Sequence, residues 1–586
     1  MATMVNNEVR VSSDLSAGEI EATQKRRERV QTCLLKELGV HCEENNVPNI
    51  VVLGSGGGLR AMIALLGTLV ELKNQNILDA VMYLCGVSGS TWCMSMLYTD
   101  SKWSEKLKSL EENLIKILTV DTWNIKKAIE YLEESSEDEH YSLTDVWASC
   151  VVYKILHQFD ENELTDHKHA SETGINPYPI YAAVDKEKLR EEGASSPGTW
   201  FEFTPHEAGY TALGAFVSTE HFGSKFEKGK LMESKNKKKH ICYMQGLWGS
   251  ALGSKEEILK AIHEFIKQLL QRLQRSCETR ICSPYGYDHE SMSNTTEIFQ
   301  TAFLLLELQL CAVSGRDPEE VFNKLLKILS EDEKKCASYQ MCLKVHETWV
   351  TKTKEERIES CVSLGKEIEK EFGVCLGQEG TPEEMPRLLQ GHLLNIHRIL
   401  TKTTHCTLNW TWGTTNNFLY KCPNIQSSHL VKNKTISLID AGLAINSAYP
   451  LVLRAQRQTD LILSFDFSSG DPFETIEKAA EYCQKNGIAF PKIEKQETEK
   501  ESPSDCYIFR GDKSCPTVMH FPLFNKVNCS DKIKEYRSKF STFKMSFPET
   551  DIKDLLAKAK LNVSNNSKRI LQEIQLLLCS SHTNKF

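Results

Sequence analysis

The sequence has few of the features that mark an exported or membrane-spanning chain. Residues 1–7 lack the basic-then-apolar layout of a signal peptide. No window reaches the roughly 18 apolar residues that a bilayer-spanning helix needs. The nearest, residues 302–313, is interrupted by Glu307 and Gln309, so we predict a buried helix there. The last three residues, Asn584-Lys585-Phe586, form no prenylation motif. We therefore expect a cytoplasmic protein.

Motifs for metal, nucleotide and nucleic-acid binding are also missing. The 20 cysteines show no paired C-x-x-C spacing, which indicates reduced thiols and neither a zinc site nor a disulfide framework. No metal or cofactor is expected. With 70 Lys and Arg against 79 Asp and Glu, the net charge of −9 argues against nucleic acid as a partner. Oligomeric state is not predicted by any of these features.

The order of segments along the chain predicts an α/β fold with a mainly parallel central sheet. Residues 16–38 are predicted to be a helix, since Ser16 and Glu19 form a capping box and Gly39 supplies a stop. Two strand–turn–helix units follow, at 49–66 and 81–94. Residues 255–402 have long charged helical periodicity, which is typical of a helical cap inserted into the domain. We therefore divide the chain into an N-terminal helical segment (1–45), a catalytic domain (46–545) and a helical tail (546–586).

The most informative stretch is Gly86-Val87-Ser88-Gly89-Ser90. It follows the apolar run Val81–Cys85 and precedes a helix-compatible run. Strand, glycine-flanked serine and helix together describe a nucleophile elbow, in which a tight turn presents the Ser88 hydroxyl above the sheet. The usual pattern is G-x-S-x-G, and here the fifth residue is serine. Alone, the motif would also fit a Gly/Ser turn without catalytic function.

The second informative stretch is the glycine loop Gly54-Ser55-Gly56-Gly57-Gly58, which lies between a strand and a helix. Such a loop directs several backbone N–H groups to one point, where the helix N-terminus adds positive potential. It lacks the Gly-Lys-Ser/Thr of a phosphate-binding loop and fails G-x-G-x-x-G at Leu59. An oxyanion hole fits it better than a nucleotide site. Arg60, just after the loop, suits a phosphate group or a surface ion pair.

The base that would activate Ser88 is left open by the residues alone. Asp440, in Asp440-Ala441-Gly442, follows the strand-like run 436–439 and is a candidate, although a turn Asp is the commoner meaning of such a motif. None of the 17 histidines is tied to the elbow by spacing, and His206 and His405 fit structural roles. The sequence pattern therefore does not choose between an aspartate and a histidine base.

Three blocks, Gly54–Arg60, Gly86–Ser90 and Asp440–Gly442, resemble the signature blocks of the group IV cytosolic phospholipases A2. Longer stretches resemble the same family: Trp200–Pro205, His221–Phe226, Gly246–Ala251, Asn409–Thr415, Tyr449–Arg457 and Ser464–Phe467. The resemblance extends over about residues 20 to 545. It implies the patatin-like catalytic domain of this family, with a central sheet and a helical cap.

The resemblance also implies a role for each motif. Ser88 would be the nucleophile and Asp440 its base, with the Gly56 and Gly57 amides as the oxyanion hole. Arg60 would hold the substrate phosphate and Arg457 would assist near the dyad.

The implied activity is calcium-independent phospholipase A2 and lysophospholipase hydrolysis through an acyl-serine, with transacylation as a second fate of the acyl group. Only 53 residues precede Gly54, which leaves no room for a calcium-binding C2 domain and favours the calcium-independent gamma type. The missing prenylation motif departs from that type. The resemblance also implies glycerophospholipid and lysophospholipid substrates and transient, peripheral association with intracellular membranes. A Ser-His-Asp esterase and an inactive lipid-binding scaffold are the alternatives.

Two basic clusters are candidates for contact with anionic lipid. They are Lys25-Arg26-Arg27-Glu28-Arg29, in the first predicted helix, and Lys235-Asn236-Lys237-Lys238-Lys239. A solvated surface is the more common meaning of such charge runs, and we favour it for both.

Overall fold

The computed structural model describes residues 7–120, 123–235, 238–251, 255–281, 289–330, 336–376, 387–425, 427, 430–494 and 499–582. The chain forms two compact units. The first consists of residues 1–123, 152–252 and 413–586, and the second of residues 124–151 and 253–412.

The strands of the first unit are short, and six of them, β2 to β6 and β14, are buried at every residue. In chain order they are β1 Arg10–Val11, β2 Asn49–Gly54, β3 Val81–Gly86, β4 Tyr178–Asp185, β5 Trp200–Phe203, β6 Glu207–Tyr210, β7 Ala215–Ser218, β8 Lys225–Glu227, β9 Lys230–Glu233, β10 Thr414–Asn416, β11 Thr435–Asp440, β12 Thr459–Asp466, β13 Tyr507–Phe509 and β14 Thr517–Pro522.

The helices are numbered through the whole chain. Those of the first unit are α1 Ala17–Leu38, α2 Gly58–Asn74, α3 Gly89–Leu97, α4 Leu107–Thr119, α7 Tyr153–Leu156, α8 Lys168–Ser171, α9 Lys186–Glu192, α10 Ile241–Trp248, α17 Tyr449–Val452, α18 Glu474–Lys485, α19 Lys526–Cys529, α20 Ile533–Lys539 and α21 Glu549–His582. Those of the second unit are α5 Ile125–Ser135, α6 Leu143–Trp147, α11 Lys255–Ile281, α12 His289–Ser314, α13 Glu319–Leu329, α14 Ala337–Thr348, α15 Lys354–Leu376 and α16 Arg387–Asn409.

The first unit is built on one large sheet with the order β1-β7-β6-β5-β4-β3-β2-β12-β14-β13. The central pairs, β4–β3, β3–β2, β2–β12 and β12–β14, are parallel. The outer pairs are antiparallel, so the sheet is mixed with a parallel centre. The predicted α/β fold is confirmed, but the sheet expected to be mainly parallel is mixed. Strands β2 and β3, which lead into the glycine loop and the elbow, pair in parallel on both sides, whereas β11, which carries Asp440, pairs antiparallel with β4 and β10.

Strand β4 brings two distant segments together. Its first half pairs with β3, with Gly86 opposite Tyr181. Its second half pairs with β11, with Asp440 opposite Ala183. Strands β3 and β11 therefore follow one another beside β4, and the turn after β3 meets the end of β11.

The terminal helices are part of the first unit. Helix α1 is the predicted helix, with the Ser16 hydroxyl accepting from the Glu19 N–H and Gly39 in the left-handed region at φ +64°. Helix α21 packs along α2. A Cβ on Gly67 of α2 would lie 3.0 Å from the Leu556 carbonyl oxygen, which shows how closely the two helices approach.

The second unit is helical and has its own apolar core. The core includes Leu308, Phe322, Trp349 and Leu364. The segment predicted as a buried helix at 302–313 lies in α12, where most of its side chains are buried. The predicted insertion at 255–402 falls within this unit, which also includes residues 124–151.

The structure bears on two predictions from the sequence, the reduced cysteines and the lack of a membrane-spanning helix. The 17 cysteines whose side chains the structure describes are all free thiols. Among these residues no helix combines the length and apolar character that a bilayer-spanning segment needs.

Candidate active site

Ser88 occupies a strained turn between β3 and α3. Its backbone lies at φ 53° and ψ −124°, a conformation that a residue with a side chain rarely adopts. The Ser88 carbonyl accepts from the Thr91 N–H at 2.9 Å, which starts the helix. Ser88 is 5 % exposed and is the N-cap residue of α3. The local geometry is that of a nucleophile elbow.

Asp440, at the end of β11, lies beside Ser88, whose hydroxyl lowers the pKa of the Asp440 carboxyl. The carboxylate also accepts from two backbone groups, the Gly442 N–H at 2.8 Å and the Ala251 N–H at 3.2 Å. Its own N–H donates to the Ser250 hydroxyl at 3.0 Å. Complete burial raises the pKa of Asp440 to about 6, against the opposing effect of these hydrogen bonds. The result is a carboxylate whose pKa lies close to neutral pH.

The partners of Asp440 bear on the choice of base. The groups that contact its carboxylate in the described part of the chain are two backbone amides and the Ser88 hydroxyl. None of them is a histidine. His206 bonds to Tyr178 and Glu172, while His405 contacts Asn409.

The glycine loop packs directly against Ser88. A Cβ on Gly56 would lie 2.9 Å from the Ser88 Cβ, and a Cβ on Gly89 would lie 1.9 Å from the Gly58 carbonyl oxygen. The loop and the elbow therefore touch backbone to backbone. Only glycine permits this approach.

The amides of the loop are not equivalent. The Gly56 N–H donates to the Asn446 carbonyl oxygen at 2.9 Å, so its proton is already used within the protein. Within the described residues, the N–H groups of Gly57 and Gly58 have no such acceptor. Gly57 has φ +148° and Gly58, the first residue of α2, has φ +60°. The structure thus differs from the expectation that Gly56 and Gly57 form the oxyanion hole: the two available amides are those of Gly57 and Gly58.

Arg60 lies beneath the loop rather than in an open cleft. Its Nε donates to the Phe467 carbonyl at 2.6 Å and its Nη2 to the Thr542 hydroxyl at 3.1 Å, and Nη1 bonds to the Phe540 carbonyl. A Cβ on Gly57 would meet Arg60 Nη2 at 2.6 Å. Burial lowers the pKa of Arg60 to about 10, which still leaves it charged at neutral pH. In this structure Arg60 supports the loop.

Arg457 is placed apart from Ser88. Its carbonyl accepts from Asn49, at the amino end of β2, whereas the glycine loop leaves the carboxyl end of that strand. All five guanidinium N–H groups are used: four donate to the carboxylates of Glu19 and Glu202, and one to the Leu451 carbonyl. No donor remains for a substrate phosphate. The buried cluster explains Arg457 as a structural residue.

Asn446 and Ser250 are site residues that the sequence analysis missed. The Asn446 side chain donates to the Gly56 carbonyl at 3.2 Å and to the Ser468 hydroxyl at 2.8 Å. Asn446 thus bonds to Gly56 through both its backbone and its side chain. The signal for Ser250 was present, since Gly246–Ala251 belongs to the family-like stretches, but nothing in its composition indicated a contact with Asp440.

The chain was compared with families and with known proteins. Residues 50–279 match the family model described as "Lysophospholipase catalytic domain". Human cytosolic phospholipase A2 gamma is 38 % identical over 576 residues, which cover 97 % of this chain and 96 % of that protein. The mouse gamma protein is 36 % identical over 571 residues, covering 96 % and 91 %.

The chain belongs to the cytosolic phospholipase A2 family. It is accordingly a hydrolase of the phospholipase A2 and lysophospholipase class.

A longer relative and a solved structure are also similar to this cytosolic phospholipase A2. Mouse cytosolic phospholipase A2 zeta is 29 % identical over 614 residues, covering 99 % of this chain but 63 % of that protein. A structure of human GIVD cytosolic phospholipase A2, in complex with methyl gamma-linolenyl fluorophosphonate, matches with a TM-score of 0.61 at 21 % identity. It covers 98 % of this chain and 66 % of that one, and it supports the fold alone.

Proposed function

We propose that this protein hydrolyses fatty acyl esters of glycerophospholipids and lysophospholipids through a Ser88–Asp440 dyad. The observation that carries the proposal is the contact between the Ser88 hydroxyl and the buried Asp440 carboxylate, at the end of β11 in a family fold. A serine hydroxyl needs a base within hydrogen-bond reach to act as a nucleophile. Asp440 meets that condition, and its raised pKa suits general-base work near neutral pH.

In the first half of the reaction the Asp440 carboxylate takes the Ser88 proton as the Ser88 oxygen attacks the ester carbonyl carbon. The tetrahedral intermediate collapses with cleavage of the acyl–oxygen bond. The leaving alcohol takes the proton back from Asp440, and the acyl group stays on Ser88 as an ester. In the second half a water molecule, or the hydroxyl of another lipid, gives its proton to Asp440 and attacks the acyl-serine. The bond between the acyl carbon and Ser88 Oγ then breaks, Asp440 returns the proton to Ser88, and the fatty acid or the new lipid ester is released.

The oxyanion of each tetrahedral intermediate is proposed to bind the Gly57 and Gly58 amides. Both N–H groups lack an acceptor within the described residues, and both lie at the N-terminus of α2, where the helix dipole adds positive potential. Loss of one such donor typically raises the barrier by ~3–4 kcal/mol. Gly56 then has a different function, because its bonds to Asn446 hold the loop in place.

Arg60 and Arg457 receive supporting roles in this proposal. Arg60 fixes the loop from below through Phe467 and Thr542. Arg457 joins α1 to the sheet through Glu19 and Glu202. That residues 255–402 act as a cap over the site remains a prediction from the family resemblance.

Calcium independence, a cytosolic location and transient binding to membranes complete the proposal. The relatives are named cytosolic phospholipases A2, which supports phospholipid substrates and the cytosolic location. In the proposed mechanism the Ser88 and Asp440 side chains provide the nucleophile and its base, and the Gly57 and Gly58 amides stabilise the oxyanion. The proposal therefore gives calcium no role in the chemistry.

The test uses a fluorophosphonate probe and position-labelled phosphatidylcholine and lysophosphatidylcholine. We expect the probe to label the wild type and not Ser88→Ala, and we expect Asp440→Asn to lose hydrolysis while keeping its melting temperature or raising it. Ser109→Ala, which changes an exposed hydroxyl on α4, serves as the matched control. Labelling that persists in Ser88→Ala, or wild-type rates in Asp440→Asn, would refute the dyad. Loss of activity in a histidine variant with a retained fold would favour the esterase alternative.

A further inference from the structure

The loop Ser541–Ser546, between α20 and α21, has an unusual combination of apolar and basic side chains on its outer side. Phe543 is 50 % exposed and Met545 is 41 % exposed, and Lys544 between them is exposed as well. An aromatic ring is seldom left this open to solvent in a soluble protein unless it serves an interaction. We call residues 543–545 the loop tip.

Buried aromatic side chains anchor the loop at both ends, so the exposure of its tip follows from the packing at its base. Phe540 and Phe547 flank it, are buried, and lie with ring centroids 5.1 Å apart. Phe524 packs beneath Phe540 at 5.9 Å. The phenylalanine side chains at the base of the loop are therefore buried, while Phe543 at its tip is exposed.

The base of the loop is joined to the candidate active site. Arg60 bonds to the Phe540 carbonyl and to the Thr542 hydroxyl, and the same guanidinium lies against Gly57. One side chain therefore links the loop to the glycine loop beside Ser88. Contacts from Thr542 through Arg60 to Gly57 therefore connect this loop with the glycine loop that packs against Ser88.

The charge of the surrounding segment is opposite to that of the whole chain. Residues 526–547 contain six Lys and Arg but only two Asp and Glu, in a protein whose net charge is −9. Within the described residues, Lys544 has no carboxylate partner; its ammonium group lies 5.4 Å from the Phe547 ring centroid and 3.4 Å from the Lys539 carbonyl oxygen. Lysine beside exposed aromatic and apolar side chains is the composition that favours the headgroup region of an anionic membrane.

In the two basic clusters noticed in the sequence, several of the described residues are already used within the protein. In the first, Arg26 is buried and donates to the carbonyls of Leu78, Val81, Gly174 and Ile175. In the same cluster Arg29 pairs with Asp79. In the second, residues 236 and 237 lie outside the described residues, and Lys238 pairs with Glu163.

We propose that the loop tip Phe543-Lys544-Met545 inserts into the surface of an anionic phospholipid bilayer and docks the enzyme there beside its active site. The inference rests on the proposed function, because it assigns the surface through which the enzyme reaches its lipid. Phe543 and Met545 enter the interfacial region, and Lys544 contacts lipid phosphate.

The test is sedimentation of the full-length protein with sucrose-loaded vesicles of ether-linked phosphatidylcholine, with or without ether-linked phosphatidylserine. These lipids have no acyl ester, so binding is measured without hydrolysis. We expect Phe543→Ala/Met545→Ala to lower the partition coefficient about tenfold or more. We expect Lys544→Ala to lower it about fivefold on the vesicles with phosphatidylserine and much less on those without.

The matched control is Leu35→Ala/Met232→Ala, which removes two exposed apolar side chains, 49 % and 65 % exposed, from α1 and β9. It should bind as the wild type does. Unaltered binding of the loop-tip variant, or an equal loss in the control, would overturn the proposal. So would absence of vesicle binding by the wild type.

Two further measurements keep the inference separate from the proposed function. Melting temperatures show whether each variant is folded, and if the Ala pair fails to fold, Phe543→Ser or Met545→Gln replaces it. A monomeric short-chain lysophospholipid tests catalysis without a membrane, and a loss there as large as the loss of vesicle binding would contradict a docking role. If the wild type binds vesicles through this loop but hydrolyses no phospholipid, the proposed function fails and the docking surface stands.

Discussion

The Ser90 hydroxyl donates a hydrogen bond to the Ser55 carbonyl oxygen at 2.6 Å, and both residues are fully buried. This bond joins the first turn of α3 to the glycine loop. Ser90 occupies the position where the usual elbow motif has glycine, and a Cβ on Gly54 would lie 2.7 Å from its hydroxyl oxygen. The irregular fifth residue of the motif is therefore the residue that fixes the distance between nucleophile and loop.

Ser90→Ala should lower the melting temperature by several degrees, because it leaves a buried carbonyl without its donor at a cost of about 1–3 kcal/mol. The rate of hydrolysis should fall with it, since the loop loses a tie to the elbow. Differential scanning fluorimetry and a lysophospholipid assay measure the two effects. Ser109→Ala, on the surface of α4, is the control; an equal loss there would show that the bond has no special role.

The pH dependence of hydrolysis should follow Asp440. The carboxyl must be ionised to accept the Ser88 proton, and its pKa is raised to about 6 by burial. Below that pH, kcat/KM on a monomeric lysophospholipid should fall about tenfold for each pH unit, since this parameter follows the free enzyme. A profile that stays flat down to pH 4 would contradict the assignment of Asp440 as the base.

The same pKa predicts a stability difference. The pKa of Asp440 in the folded chain lies above the ordinary value of 3.8, so the contribution of this group to stability is present at low pH and is lost as pH rises through about 6. At pH 7 ionisation costs the folded protein about 3 kcal/mol relative to low pH. Asp440→Asn removes this dependence, so its stability relative to wild type should rise between pH 4 and pH 7. Urea denaturation at both pH values measures it, and a difference that does not change with pH would count against the raised pKa.

Gly89→Ala should abolish most activity. The new Cβ would lie 1.9 Å from the Gly58 carbonyl oxygen and would push the loop away from Ser88. A displacement of this kind near the reacting atoms typically costs about a hundredfold in rate. Gly470→Ala is the matched control, because nothing lies within 4 Å of its Cβ. Equal activity of the two variants would show that the contact between the loops is dispensable.

Glu19→Gln tests the structural role of Arg457. Both side chains are fully buried, and Arg457 donates to Glu19 at 2.9 and 3.1 Å. Removing one partner of a buried ion pair costs about 3–5 kcal/mol, so the melting temperature should fall clearly. Glu21→Gln, whose exposed carboxylate pairs with Lys25, should leave the melting temperature unchanged. A rise in KM for phospholipid without loss of stability would instead support contact between Arg457 and substrate.

Hydrolysis should be unaffected by a calcium chelator. Both oxygens of the Asp440 carboxylate already accept backbone hydrogen bonds. In the described residues the one carboxylate cluster close enough to hold a metal ion is Glu19, Glu202 and Glu207, whose charges are met by arginine side chains. Strict dependence on calcium in an assay of monomeric lysophospholipid would contradict the proposed mechanism.

Local signals predicted much of the fold. The N-cap of α1, the two strand–turn–helix units and the elbow all depend on residues close together in sequence, and the structure has each of them. Of the predicted capping box it has only the Ser16 half, because the Glu19 carboxylate pairs with Arg457. The family and the α/β fold are confirmed as well. Such elements are readable because propensity, capping and turn chemistry act within a few residues.

The long-range features were not readable from local signals. That β4 pairs with β3 and then with β11 depends on strands far apart in the chain, as does the contact of Gly56 with Asn446. Arg457 was expected near the dyad because its stretch resembles the family, but its partners Glu19 and Glu202 come from other parts of the chain. Tertiary contacts decide which N–H groups of the glycine loop are hydrogen-bonded within the protein and which are available. The spacing of residues in the sequence does not encode these contacts.

The packing of α21 on α2 has a consequence for synthesis on the ribosome. Helix α2 begins at the glycine loop, and its apolar face is covered by a helix that starts at Glu549. At 5–20 residues per second, roughly half a minute to a minute and a half separates the emergence of the two helices. During that interval the newly made α2 has an uncovered apolar face, and until Phe540 and Thr542 emerge Arg60 lacks two of the partners through which it supports the glycine loop. Nascent chains that stop before α21 should therefore be inactive and should depend on chaperones to stay in solution.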